Sequence, residues 1–166
     1  AEGKRGKAMT FDGSDDFVDV GISSPLNEEW TVSFWSHAES GTSEQHFTVG
    51  EYTNGLYLKG QNADNIGLSD PTDDDRHDWA GSGGSQHVSF SDISDRWHHL
   101  TFYSNGSAVH LMVDGVYRGY VSPSSVELHP YELGINRDDH PFGGRLDEVR
   151  IYDRTLAKHE IHELYQ

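Results

Sequence analysis

Short turn pairs built on glycine recur along this chain, and they constrain its fold more than any other feature. Asp12-Gly13, Asn54-Gly55, Asn105-Gly106, Asp114-Gly115 and Gly143-Gly144 punctuate the sequence. Asn-Gly and Asp-Gly supply the positive φ that a tight hairpin turn demands. Between the turns lie short runs rich in β-branched and aromatic residues. They are Trp30-Thr-Val-Ser-Phe-Trp35, His46-Phe-Thr-Val49, Gly55-Leu-Tyr-Leu58, His87-Val-Ser-Phe90, His99-Leu-Thr-Phe-Tyr103, Val109-His-Leu-Met-Val113 and Arg145-Leu-Asp-Glu-Val-Arg-Ile-Tyr152. Many alternate apolar and polar residues with period two, so one face meets a core and the other meets water or a ligand. Such strands, without helical patterns between them, imply an all-β antiparallel sandwich or barrel. The clearest hairpin turns at Asp114-Gly115, with Val109 to Val113 leading in and Val116 to Tyr120 leading out. One short helix is expected at the C-terminus, capped by Thr155, with Leu156, Ile161, Leu164 and Tyr165 as its apolar stripe.

Length and charge narrow the functional classes. A chain of 166 residues builds one well-buried core, so 1–166 reads as a single domain. The formal net charge of -16 repels phosphates and argues against nucleic acid. A solvated acidic surface, a saline habitat and carboxylates committed to calcium all account for that charge. No run approaches the roughly 18 apolar residues of a membrane-spanning helix, so no membrane insertion is expected. No leader is visible at Ala1, as in a mature start or a segment cut from a longer chain. Cysteine is absent, which removes disulfides, thiolate metal sites and thiol nucleophiles without excluding secretion.

One stretch breaks the strand rhythm. Residues 69–85 read Ser-Asp-Pro-Thr-Asp-Asp-Asp-Arg-His-Asp-Trp-Ala-Gly-Ser-Gly-Gly-Ser, without alternation and with a lone Trp79. A long ordered loop is often functional; the alternative is a flexible surface insertion. Trp30, Trp35 and Trp97 sit in strand motifs and read as core, whereas Trp79 in its polar loop is expected to stay accessible and stack on a sugar ring. Companions for it are Arg76, His77, Asp78, Tyr52, Asn54 and Tyr57. The turn at 136–140 offers Arg137 and His140, unless it is an ordinary solvated connection. Asp73 and Asp75, crowded with Asp70, Asp74 and Asp78, are a candidate cation site. Their spacing is not that of an EF-hand, and a solvated acidic loop with Arg76 as counter-charge is the plainer reading. His98 and His99 are adjacent on a strand and face opposite sides, so they do not form one site, and no third ligand joins His159 and His162 to hold zinc.

Three segments, in order, resemble the laminin-G-like, concanavalin-A-like jelly-roll superfamily. They are Met9-Thr-Phe-Asp-Gly-Ser-Asp-Asp-Phe-Val-Asp-Val20, Arg96-Trp-His-His-Leu-Thr-Phe-Tyr103 with the hairpin after it, and Phe142-Gly-Gly-Arg-Leu-Asp-Glu-Val-Arg-Ile-Tyr-Asp-Arg-Thr-Leu156. The resemblance spans nearly the whole chain and implies a two-sheet jelly roll with a C-terminal helix. It also implies a structural Ca²⁺ where the opening turn meets the closing strand, matched here by Asp12 and Asp147. Otherwise Asp12 serves only its turn, and Asp147 pairs with Arg145 or Arg150. The fold hosts carbohydrate-binding modules, adhesive and protein-binding domains and glycoside hydrolases. No Glu-x-Asp-x-x-Glu strand motif, Gly-x-Ser-x-Gly elbow or dinucleotide fingerprint is present, so an enzyme is not expected. The expectation is a calcium-stabilised module, monomeric within a larger secreted or cell-surface protein, that binds a glycan or polysaccharide. A surface protein is the alternative partner.

Overall fold

The computed structural model describes residues 1–40, 44–45, 56–59, 65–69, 76–134 and 141–166. In chain order the elements are β1 (Met9–Asp12), β2 (Val18–Asp19), β3 (Glu29–Ala38), β4 (Glu44–Gln45), β5 (Leu56–Lys59), β6 (Asn65–Ser69), β7 (Arg76–Asp78), α1 (Phe90–Ile93), β8 (His98–Asn105), β9 (Val109–Val113), β10 (Val116–Val121), β11 (Glu132–Leu133), β12 (Gly143–Tyr152) and α2 (Lys158–Tyr165). A six-stranded antiparallel sheet runs β1-β12-β3-β8-β9-β10. A four-stranded sheet, β4-β5-β6-β7, supplies the second layer, and β11 pairs with β2. The first and last strands pair with each other, which explains why the opening and closing motifs belong together.

Period-two alternation decides what each face carries. Phe34, Leu100, Phe102, Val109 and Leu111 of the large sheet share one core cluster with Ile66 and Leu68 of β6. The opposite face of the large sheet carries Tyr103 and Met112, which pack with Leu156 and Ile161 of the C-terminal segment. Tyr165 stacks on Trp35 there, with ring centroids 5.7 Å apart. Leu156 and Ile161 are buried, so the expected apolar stripe fastens α2 across this face.

The expected hairpin forms with β9 and β10 as its arms, and both turn residues adopt positive φ, 51° at Asp114 and 76° at Gly115. Three local expectations need correcting. His87 to Phe90 is not a strand: Ser89 caps α1, with a reciprocal hydrogen bond between Ser89 and Asp92, and buries Phe90 and Ile93. Thr155 does not cap α2; its hydroxyl donates to the Ser104 carbonyl, and Glu160 accepts from the Ala157 N–H instead. The stretch 69–85 is not one irregular loop, because β7 pairs with β6 through Gly67–Asp78, Leu68–His77 and Ser69–Arg76.

Candidate functional site

The pairing of β7 with β6 reverses the expectation for Trp79. The Trp79 N–H donates to the Ile66 carbonyl, extending the ladder inward by one residue. Its indole is buried at 0% exposure, edge-on to Phe102 at 5.6 Å between ring centroids. The indole N–H donates to the Gly119 carbonyl of β10 at 3.3 Å. Trp79 is therefore a core residue and does not stack on a ligand. The polar sequence around it hid a long-range strand pairing that turns the ring toward the core.

What Trp79 supports is more informative. At Gly119, with φ 86°, the register of β10 against β9 shifts between Tyr117 and Tyr120. Strict alternation would send these two tyrosines to opposite faces. The bulge brings both beside His110, with centroid separations of 5.9 Å for Tyr117 and 5.7 Å for Tyr120. Tyr120 keeps 42% of its surface exposed. A Cβ on Gly84 would lie 2.3 Å from Tyr120 ring atoms, and one on Gly119 would lie 2.2 Å from the Gly84 carbonyl oxygen. Glycine at 119, where a Cβ would strike backbone, allows β10 and the segment at 84–86 to approach this closely, and glycine at 84 leaves the Tyr120 ring its place.

The result is an open groove of about 420 Å³ whose lining includes His77, Asp78, Ser82, Gly83, Gly84 and Tyr120. An aromatic platform, a carboxylate and a glycine floor converge here from three parts of the chain. Sequence reasoning named His77 and Asp78 but missed Tyr120. The available signal was Gly119 within a strand, a common mark of a bulge or a close backbone approach.

The remaining predicted ligand residues divide by position. Tyr57 lies in β5, registered opposite Gly67, which in turn is opposite Asp78. These three form one row, and Tyr57 stands two strand spacings, about 10 Å, from Asp78. Arg76 lies in β7 opposite Ser69, two residues before Asp78. Tyr52, Asn54, Arg137 and His140, like the acidic pair Asp73 and Asp75, lie outside the described residues.

Register also separates the expected calcium pair. Asp12 is opposite Gly143, four residues along β12 from Asp147, a distance of about 13 Å. Two carboxylates that far apart cannot share an ion with metal–oxygen distances of about 2.3–2.6 Å. Asp147 is buried at a β-bulge, with Oδ2 accepting the Arg5 N–H and Oδ1 the Glu148 N–H. It pairs with neither Arg145 nor Arg150: Arg150 bonds to Glu148, and Arg145 lies over Trp97. Asp147 pins the N-terminal segment, and a Cβ on Gly3 would fall 2.5 Å from its Oδ2. Asp12 instead groups with Asp15 and Asp16, whose oxygens all lie within 4.8 Å of one another.

The fold has a counterpart among known families. Residues 12–162 match the family described as the concanavalin A-like lectin/glucanases superfamily. The chain belongs to that superfamily. Domain 4 of an extracellular GH43 arabinanase from Geobacillus stearothermophilus, solved in complex with arabinotriose, shares the fold. It superposes with TM-score 0.70 at 23% identity, covering 100% of this chain and 80% of that one. A putative carbohydrate binding protein from Bacteroides ovatus gives TM-score 0.69 at 12% identity, covering 94% of this chain and 46% of that one. The binding domain of botulinum neurotoxin serotype D gives 0.67 at 17% identity, covering 96% and 42%. No curated protein matches this sequence.

A lectin/glucanase fold raises the question of paired carboxylates. Asp92 and Asp114 both line a second pocket, of about 280 Å³. The Ser89 side chain holds the Asp92 carboxyl below the usual carboxylate range. At Asp114 burial opposes ionisation, but hydrogen bonds from His98 and from the His99 N–H outweigh it, so this carboxyl is also held low. Neither retains a proton near neutrality, as a glycosidase's general acid must.

Proposed function

We propose that this chain is a non-catalytic, extracellular carbohydrate-binding module whose glycan seats against Tyr120 in the groove beside β7 and β10. The observation that carries the reading is the exposed Tyr120 ring beside a glycine floor and the Asp78 carboxylate. A pyranose or furanose presents a C–H face that packs on an aromatic ring, and its hydroxyls donate to a neighbouring carboxylate. Tyr suits such a surface because it joins a large apolar face to a polar tip. The low-lying Asp92 and Asp114 carboxyls do not suit the role of a glycosidase's general acid. The module acts as a monomer within a larger secreted or surface protein. Affinity electrophoresis of the whole chain through neutral and acidic polysaccharides, arabinan among them, tests the reading. Retarded migration in at least one gel is expected, and unretarded migration in all of them overturns it.

Calcium belongs to the same proposal. Oxygen donors on a flexible Asp-Gly turn suit Ca²⁺, and Asp12, Asp15 and Asp16 provide them. Asp12 Oδ1 accepts the Ser14 N–H and Asp16 Oδ2 accepts the Asp12 N–H, so each keeps its other oxygen for an ion. A bound ion would fasten the opening turn and raise the melting temperature. The protein-binding alternative draws on Val116 and Tyr117, which are exposed next to the groove on the β9–β10 hairpin.

A further inference from the structure

The groove beside Tyr120 is one flank of a narrow bridge; the other flank is chemically different. Ser85 and Gly119 form the bridge, with the Tyr120 N–H donating to the Gly84 carbonyl on one side and the Gln86 N–H donating to the Arg118 carbonyl on the other. Beyond it lies the second pocket, lined by His87, Asp92, Arg96, His98, Asp114 and Arg118 together with apolar side chains. The whole chain has 12 lysines and arginines against 28 acidic residues. Two of those few arginines and two histidines border this one cavity.

The acids at this pocket are hydrogen-bonded to their neighbours, and the charges of His87 and Arg118 also act on the Asp92 carboxylate. Arg118, by contrast, keeps one N–H without a hydrogen-bond partner among the described residues. Asp114 bonds through Oδ2 to His98 Nδ1 at 2.7 Å and accepts the His99 N–H on Oδ1. Asp92 accepts the Ser89 N–H. Arg96 donates its Nε–H to His98 Nε2 at 2.8 Å, which places the His98 proton on Nδ1, directed at Asp114. A hydrogen-bonded chain from Asp114 through His98 therefore orients the Arg96 guanidinium. One Nη of Arg96 also reaches the Asp92 carbonyl, and the other has no partner among the described residues. Arg118 is more exceptional: its Nε–H is buried and has no hydrogen-bond partner among the described residues. A buried guanidinium N–H without an acceptor is costly, and an oxyanion in the pocket that Arg118 lines would offset that cost by charge-assisted pairing with the outer nitrogens of the same guanidinium.

We infer that the Arg96–Arg118 pocket binds the oxyanion of an acidic sugar residue, a uronate carboxylate or a sulfate ester, next to the sugar held by Tyr120. About 7 Å of β10 separates Arg118 from Tyr120, and the bulge at Gly119 breaks the alternation that would set both side chains on one face, so a ligand that touches both must cross the Ser85–Gly119 bridge. The inference rests on the glycan reading for its biological ligand, but the anion pocket stands as a site by itself. The strongly negative chain repels polyanions at long range, so the preferred ligand carries an isolated acidic group among neutral sugars.

The experiment is an NMR titration of the full chain, following the arginine Nε–H signals. The titrants are sodium glucuronate and sodium sulfate, with sodium chloride at matched ionic strength as background. Saturable movement of the Arg96 and Arg118 signals with glucuronate or sulfate, and not with chloride, is expected. Response to glucuronate alone assigns a uronate, to sulfate alone a sulfate ester, and to both a general oxyanion site; each supports the proposal. Arg118→Gln should weaken the apparent affinity at least about tenfold. Arg96→Gln, at an exposed position, gives a second reading should the first variant fold poorly. Movement no different from chloride, or an affinity unchanged in a folded Arg118→Gln, overturns the inference. No neutral glycan enters this titration, so its failure leaves the Tyr120 groove untouched, and failure of that groove leaves this result readable.

Discussion

Trp79 and Tyr120 meet at Gly119 from opposite sides, and they make opposite use of an aromatic ring. Trp79 gives its entire surface to the core and its indole N–H to the Gly119 carbonyl. Tyr120, one residue further along β10, leaves 42% of its surface to solvent and lines the groove. The first builds the platform and the second is the platform. Local polarity is a poor guide to which is which, because Trp79 follows an acidic stretch and Tyr120 sits in an ordinary hairpin arm.

The contrast breaks most visibly at the core. Trp79→Ala should cost about 3–5 kcal/mol, the range for emptying a buried aromatic site, and chemical denaturation measures it directly. A loss below about 1 kcal/mol would mean that the ring is not part of the core. Acid reaches a different part of the molecule. Burial beneath α2, partly offset by the charge of Asp114, depresses His99 from 6.5 to about 4. The unfolded chain therefore takes up the proton first as pH falls. Stability should be flat above about pH 6.5 and fall by on the order of 3 kcal/mol as pH drops toward 4, and His99→Gln should flatten that slope in urea titrations.

Gly119→Ala touches both aromatic sites at once. Positive φ and contact with the Gly84 carbonyl should cost about 1–3 kcal/mol and shift the Tyr120 signals in NMR spectra. Unchanged Tyr120 signals would mean that the bulge does not aim that ring. Chelation should lower the melting temperature of calcium-loaded protein by a few degrees. An unchanged melt, after metal loading is verified, removes Asp12, Asp15 and Asp16 as a calcium site.

Local chemistry wrote the legible parts of this fold into the sequence. The Asp114-Gly115 turn, the strand ending at Tyr152 and the stripe of Leu156 and Ile161 each depend on neighbours within a few residues. The site was less legible because it depends on register. Pairing of β6 with β7 buried Trp79, and a bulge at Gly119 set Tyr120 beside Tyr117. Four residues of β12 separated Asp12 from Asp147 although their motifs share one strand pair. Only the Ser89-to-Asp92 cap of α1 was a local signal that the alternating pattern of His87 to Phe90 concealed.

The most direct test of the central claim compares Tyr120→Ala with the unaltered chain on whichever polysaccharide retains the latter. Tyr120 is half exposed, so its stability should change by less than about 1 kcal/mol. Its retention in affinity gels should fall at least about tenfold, or 1.4 kcal/mol. A folded Tyr120→Ala chain that still binds with full affinity would contradict the account and move the ligand away from the groove.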